Sequence, residues 1–380
     1  MMVMRTTAWR GGTAEAYERW ARLEDRAAEE LDAALERAGA EIRSGGGELA
    51  ARLAAIELPA AVPLGGGGRA PSTPGRAPDR PASAAQRDLE NRARLAADLR
   101  ATPTGPRRRM LETIDARLRE LARGGETVQL FEYDPDAFGG DGAVAVAIGD
   151  LDTARAIGVV VPGMGTTAAS IGAVTRNAVN LQVAARRADP TTPTATLAWI
   201  GYDAPSGRAS VAQVLTGAHA RRGAAELRAD LADLARLRPD DPRVVLFGHS
   251  YGATTVATAG AGGALAGVVD AVVLLGAPGA GPVRSAAELG MPVYVARDSD
   301  DPIPRVGETD GAAQGLRRWF GVELGLGADP AAPSFGATAV DAEGPTGFGM
   351  GAHSGYFDEG SRALDAFAAI LTRGGADGRR

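Results

Sequence analysis

The chain contains no cysteine in 380 residues, which excludes a disulfide, a thiolate nucleophile and a Cys-based zinc site. It contains no lysine either. All 41 basic residues are arginine, the mark of a GC-rich coding sequence rather than of 41 separate demands for guanidinium chemistry. No run approaches the ~18 apolar residues of a membrane span, and the opening "MMVMRTTAWRGG" lacks the roughly 7–15 residue apolar stretch of a signal peptide. The expectation is a protein without an integral membrane span, cytoplasmic or exported without a cleaved signal peptide. Positive charge is not in excess, because the formal net charge is −6, so nothing favours a nucleic-acid partner. Histidine is scarce at three residues, and that scarcity narrows the search for a base below.

What is present, 45% hydrophobic and 23% charged residues, suffices for one large core with further segments around it. Residues 13–56 are Ala-rich, with Trp20, Leu23, Leu31, Leu35 and Ile42 among dense Glu, Asp and Arg, and they read as helix. The Pro- and Gly-rich "VPLGGGGRAPSTPGRAPDRP" that follows has too little apolar surface to offset its ordering entropy, and it reads as a linker. Helices are predicted at 84–101 and 106–123. After Gly125 short β-rich runs alternate with helical stretches such as 221–237 and 252–265, the signature of a mostly parallel sheet with helices on both faces. The predicted strands are 127–133, 143–149, 156–162, 194–200, 243–248, 270–276, 292–297 and 336–341. The first two are joined by the Gly-rich "DPDAFGGDGA" as a hairpin. The expected organisation is an N-terminal helical segment over 1–58, a linker over 59–83, a helical lead-in over 84–126 and an α/β domain over 127–376.

Within that domain "VVLFGHSYGATTVATAG" carries the chemistry. Five letters of the form G-x-S-x-G mean little in a chain with 52 glycines; their setting means more. The motif follows the buried run Val244-Val245-Leu246-Phe247 and opens directly into a helix, so Ser250 sits on a sharp strand-to-helix turn with its hydroxyl projecting. Ser250 is the candidate nucleophile. A serine hydroxyl needs a base within hydrogen-bond reach, and elimination among three histidines leaves His353 in "GFGMGAHSGYF", after the last strand. His249 is expected to point the other way off the turn, and His219 precedes the nucleophile strand.

The third group must accept a hydrogen bond from the imidazole, and "MPVYVARDSDDPIPRVG" offers Asp298, Asp300 and Asp301 after a strand between Ser250 and His353. The Asp-Pro-Ile turn favours Asp301, with Asp300 and then Asp298 as alternatives. Donors for a developing oxyanion are the amide of Tyr251 and, in "AIGVVVPGMGTTAASIG", the amide of Met164. Gly165, Thr166, Tyr202, Asp203 and His249 are the candidate pocket residues, with Trp199 of "WIGYDAP" read as core. Residues 307–335 form an insert between the acid and the last strand.

Taken together, the blocks "NRARLAADL", "VAVAIGDLDTARAIGVVVPGMGTT", "LAWIGYDAPSG", "VLFGHSYGATTV", "VVLLGAPG", "VARDSDDPI" and "AHSGYFD" resemble an α/β-hydrolase family of uncharacterised function. That family is common in high-GC Gram-positive bacteria and often stands beside WXG-type helical modules. The triplet Trp9-Arg10-Gly11 resembles the WXG turn in part, without the Tyr-x-x-x-Asp/Glu export signal, since Ala21 stands four residues after Tyr17. The resemblance implies an α/β-hydrolase fold, a Ser250, Asp298–301 and His353 triad, and no metal or organic cofactor. The expected activity is a serine hydrolase, esterase/lipase-like or thioesterase, acting on a small-molecule or lipid acyl substrate. An acyltransferase with the same triad, and a non-catalytic secretion-associated binding module whose N-terminal helix docks a protein partner, are the alternatives.

Overall fold

The computed structural model describes residues 83–206, 217–304, 326–343 and 349–372. The expected N-terminal helix, the WXG-like triplet, the linker up to residue 82 and the stretch 307–325 of the insert lie outside the described residues.

Two helices come first, α1 (Ala84–Ala101) and α2 (Pro106–Arg123), and both begin at recognisable stops. Ser83 caps α1 through its hydroxyl on the Gln86 amide, while the Asp152 carboxylate takes the amides of Ala84 and Ala85 at 2.7 and 2.9 Å. Pro106 opens α2, where its missing N–H costs nothing. Strands β1 (Val128–Asp134), β2 (Ala143–Ile148) and β3 (Ala156–Val161) follow, then α3 (Ile171–Ala188), β4 (Thr194–Ile200), α4 (Ala218–Leu237) and β5 (Arg243–His249). The described chain continues through α5 (Tyr251–Gly260), β6 (Ala271–Leu275), β7 (Val293–Ala296), β8 (Thr338–Val340), α6 (Met350–Ser354) and α7 (Arg362–Thr372).

The eight strands form one sheet in the order β1-β2-β4-β3-β5-β6-β7-β8. β1 and β2 pair antiparallel, as do β2 and β4, and every later pair is parallel. Each predicted strand is present, trimmed by a residue or two where the last strands are short. This is the α/β-hydrolase arrangement.

Side-chain alternation divides the core between the two faces of the sheet. Val244, Leu246, Val272 and Leu274 pack on one side with Leu227 and Leu231 of α4 and Val256 of α5. Val245, Phe247, Val273 and Leu275 pack on the other with Leu111 and Ile114 of α2, Leu181 of α3 and Phe367 of α7. Strands covered on both faces must be apolar throughout, which is why "VVLF" and "AVVLL" do not alternate with polar residues.

The edge of β1 is closed by α1. Asp88 accepts the Leu130 amide at 2.6 Å, Asn91 Nδ2 donates to the Leu130 carbonyl at 2.9 Å, and Arg92 donates to the Val128 carbonyl at 3.0 Å. Side chains of "DLENRARL" thus replace the missing neighbour strand and remove a template for edge pairing. The other edge, β8, is kept to three residues.

No described helix is long and apolar enough to cross a membrane.

Phe247 is wholly buried between the rings of Phe357 and Phe367, at centroid distances of 6.3 and 5.6 Å. Phe247→Ala is expected to cost about 3–5 kcal/mol in urea denaturation, whereas Leu89→Ala, at a position 70% exposed, stays within about 0.5 kcal/mol of wild type. A Phe247→Ala cost below about 1 kcal/mol would contradict this packing.

Candidate active site

A parallel sheet brings the carboxyl ends of its strands to one side, and three distant chain segments meet there. At the end of β5 the chain turns through Ser250, whose φ of 55° and ψ of −129° lie outside the regions L-residues prefer. Holding such a residue costs on the order of 1–3 kcal/mol, so the surroundings must enforce it. They do so by close approach. A Cβ on Gly252 would stand 2.4 Å from the Val161 carbonyl oxygen, and one on Gly163 would stand 2.7 Å from Ser250 Cβ. The loop after β3 therefore lies directly on the Ser250 turn. The Ser250 amide donates to the Leu275 carbonyl at 2.9 Å, and α5 begins at Tyr251.

The amides of Met164 and Tyr251 have no acceptor among the described residues. Both belong to backbone that this approach packs together at Ser250, and the positive end of the α5 dipole adds to the field there. The Met164 loop is anchored from below: Tyr202, 1% exposed, donates from its hydroxyl to the Pro162 carbonyl at 2.8 Å. Its ring stacks on Trp199 at 5.8 Å. Tyr202, read as a pocket residue, is thus core and supports the loop rather than lining an opening.

Gly165 is exposed and Thr166 half-buried, and the Gly165 amide donates to the Pro205 carbonyl at 2.8 Å. Asp203 is half-buried nearby. Burial raises its pKa against the opposing pull of His219 and Arg222, and the carbonyl and carboxylate of Asp203 lie 2.8 and 3.4 Å from His219 Nδ1.

The acid loop follows β7. Asp301 is wholly buried, and its carboxylate lies 3.0 and 2.9 Å from His353 Nδ1, which donates to it. Oδ1 also accepts the Ile303 amide at 2.9 Å, and Oδ2 accepts the Tyr356 hydroxyl at 2.6 Å. Burial alone would raise the Asp301 pKa; the hydrogen bond and charge of His353, joined by the Tyr356 bond, outweigh it and hold the carboxyl below its ordinary value. Of the other acids, Asp300 is exposed, and Asp298 is buried with its carboxylate accepting the Asp300 amide at 2.8 Å. Only Asp301 is brought to the imidazole.

Sequence reasoning passed over two contributors. Gly276, just past β6 at φ 54°, leaves room for the pair: a Cβ there would stand 2.8 Å from Asp301 Oδ2 and 2.9 Å from His353 Nδ1. Its only signal was a glycine directly after the apolar strand in "VVLLGAPG". Tyr356 is the other, and its signal was its place three residues after His353.

His249 differs from the sequence expectation. Instead of leaving the far side of the turn, its ring lies on that of His353 at 4.7 Å, and its Nε2–H donates to the His353 carbonyl at 2.7 Å. Burial, followed by the charge of His353, pushes its pKa down to about 3. The Ser250 hydroxyl makes no hydrogen bond among the described residues. Two surface depressions of about 290 and 420 Å³ open at the opposite end of the sheet, beside Pro242 and Val244 and beside Gly149 and Thr194, and none of the residues around Ser250 lines either.

Comparison with known proteins agrees with this class of fold. Residues 136–310 match the profile of a family described as alpha/beta hydrolase. The uncharacterized protein Rv2079 of Mycobacterium tuberculosis is 39% identical over 274 residues, 68% of this chain and 41% of that protein. Rv0963c of the same organism, also uncharacterized, is 34% identical over 155 residues, 39% of this chain and 56% of that protein. The chain thus spans 41% of the length of the first of these relatives. Among solved structures, the dienelactone hydrolase of Anabaena variabilis is 18% identical, covering 65% of this chain and 96% of that one, with a TM-score of 0.37. The hyperthermophilic esterase of Pyrobaculum calidifontis is 14% identical, covering 69% of this chain and 91% of that one, with a TM-score of 0.40.

The depressed His249 pKa sets a pH dependence. Unfolded, His249 takes a proton at about pH 6.5; folded, it stays neutral to about pH 3. In that window the unfolded chain binds the extra proton, so the contribution of His249 is complete above about pH 6.5 and is lost as pH falls toward 3. His249→Gln, neutral throughout, should flatten the acid side of the stability curve by up to about 1.4 kcal/mol per pH unit, read from urea midpoints. Parallel curves for the two proteins would contradict a His249 that stays neutral in the fold.

Proposed function

We propose that the chain is a serine hydrolase that cleaves an acyl ester or thioester through an acyl-enzyme on Ser250. The observation that carries this reading is the buried Asp301–His353 pair, held at the same end of the sheet as a serine in a strained backbone conformation. A structural serine has no need of that φ, and a structural salt bridge has no need of that neighbour.

In the reading, Asp301 fixes the His353 tautomer with the proton on Nδ1, which leaves the Nε2 lone pair to receive the Ser250 proton. Ser250 Oγ attacks the acyl carbon, and the carbonyl electron pair moves onto oxygen, where the Met164 and Tyr251 amides meet the charge. Collapse breaks the bond to the leaving oxygen or sulfur, which departs with the proton carried by His353. Water then repeats the sequence on acyl-Ser250, giving a carboxylic acid and the free hydroxyl. The hydrogen bond between Ser250 and His353 belongs to the substrate-bound state, since such bonds often tighten only in the complex. Asp203, Gly165 and Thr166 border the acyl site, and a small-molecule or lipid ester is the substrate class.

A fluorophosphonate probe is expected to label the wild-type protein and to spare Ser250→Ala. The same substitution should lower kcat/KM on an aryl ester by about 10⁴-fold or more. Equal labelling of the two proteins would refute the assignment.

A further inference from the structure

The sequence "AHSGYF" places Tyr356 one helical turn after His353, so both side chains leave the same face of the chain as it passes from α6 into a tight turn. Both reach one carboxylate. His353 Nδ1 donates to Asp301 from one direction, and the Tyr356 hydroxyl donates to Oδ2 at 2.6 Å from another. The phenolic oxygen in turn accepts the Asp298 amide at 3.1 Å. With Tyr356 2% exposed, that acceptance fixes the direction of its O–H toward Asp301.

We propose that Tyr356 is a positioning residue that governs the strength of the base: by sharing the charge on Asp301 Oδ2, it limits how strongly Asp301 stabilises the His353 imidazolium. The inference rests on the functional reading above. A carboxylate oxygen with two donors spreads its charge over both, and each bond is weaker than it would be alone. Loss of the phenol leaves the imidazole as the only donor to Oδ2 among the described residues, so the imidazolium becomes easier to form and harder to discharge. Burial, together with the Asp301 charge, pushes the Tyr356 phenol far above its ordinary pKa, so it remains a donor across the working range.

The titratable groups facing this cluster, among the described residues, are Asp298 and Asp301 after β7, His249 beside the Ser250 turn, and His353 and Tyr356 themselves. His249 stays neutral, and removing the phenol alters hydrogen bonds only at Asp301 Oδ2 and at the Asp298 amide; of the two, only Asp301 bonds the imidazole, so a shift in the His353 titration is read at Asp301.

The test is Tyr356→Phe, which keeps the ring beside His249, at 6.0 Å in the wild type, and removes only the oxygen. Histidine titration by ¹⁵N NMR, with His353→Gln identifying the His353 signal, is read alongside the pH profile of kcat/KM. The expected result is an imidazole titration about 0.5–1 unit higher in Tyr356→Phe than in wild type, with the acid limb of kcat/KM moved by the same amount and KM unchanged. A titration that is unchanged or lower overturns the inference. Because the NMR signal needs no turnover, failure of the functional reading is separable: a protein whose Ser250 takes no fluorophosphonate, yet whose imidazole titrates higher without the phenol, retains the coupling and loses the hydrolase assignment. A Tyr356→Leu variant with the same upward shift shows that the oxygen rather than the ring is responsible, and one without it overturns the charge-sharing account.

Discussion

A carboxylate with no exposed surface is the constraint on which this site depends. Asp301 is 0% exposed, and an ionised group there is tolerable only if hydrogen bonds replace the water it has lost. The replacement is complete: an amide from its own turn, an imidazole and a phenol occupy its oxygens. Each donor must be held in place, and much of the local architecture is the means of holding them. Gly276 keeps the space open, α6 presents His353, and the turn that follows presents Tyr356. Removing any one donor would leave a buried charge short of a partner, which costs more than the bond itself contributes.

The same logic extends to the strained turn. Ser250 keeps its unfavourable backbone because glycines at 163 and 252 let two loops touch where side chains would collide. The energy that holds the turn comes from the apolar strands behind it, buried on both faces. Tyr202 extends the support one layer outward by fixing the Pro162 carbonyl, so the Met164 amide is set by a hydrogen bond beneath it. Rigid strands thus position groups that loops carry, and the His249 bond to the His353 carbonyl ties the His353-bearing helix to the Ser250 turn.

Much of the fold was legible in sequence because its signals are local. Strands buried on both faces read as apolar runs, helices α1 and α2 stand where Ser83 and Pro106 start them, and Ser250 announced itself by strand, turn and helix in immediate succession. The candidate base followed from scarcity, since three histidines leave few choices. The acid was harder: Asp298, Asp300 and Asp301 share one loop, and only the direction in which each side chain leaves the turn separates them. Gly276, Tyr356 and the stacking of His249 were illegible for a different reason. Their roles arise from contacts between segments distant in the chain, and a tyrosine after a histidine has no distinct local pattern. Tyr202 and Asp203 show the converse, adjacent residues of one turn whose side chains part, one into the core and one toward His219.

The most direct measurement is a crystal structure of the protein after reaction with a phosphonate ester. The account predicts a covalent bond from Ser250 Oγ to phosphorus. It also predicts a phosphoryl oxygen about 2.7–3.1 Å from both the Met164 and Tyr251 amides, with His353 Nε2 facing the adduct while Nδ1 stays on Asp301. An adduct on another residue, or a phosphoryl oxygen turned to solvent with the imidazole withdrawn, would contradict it.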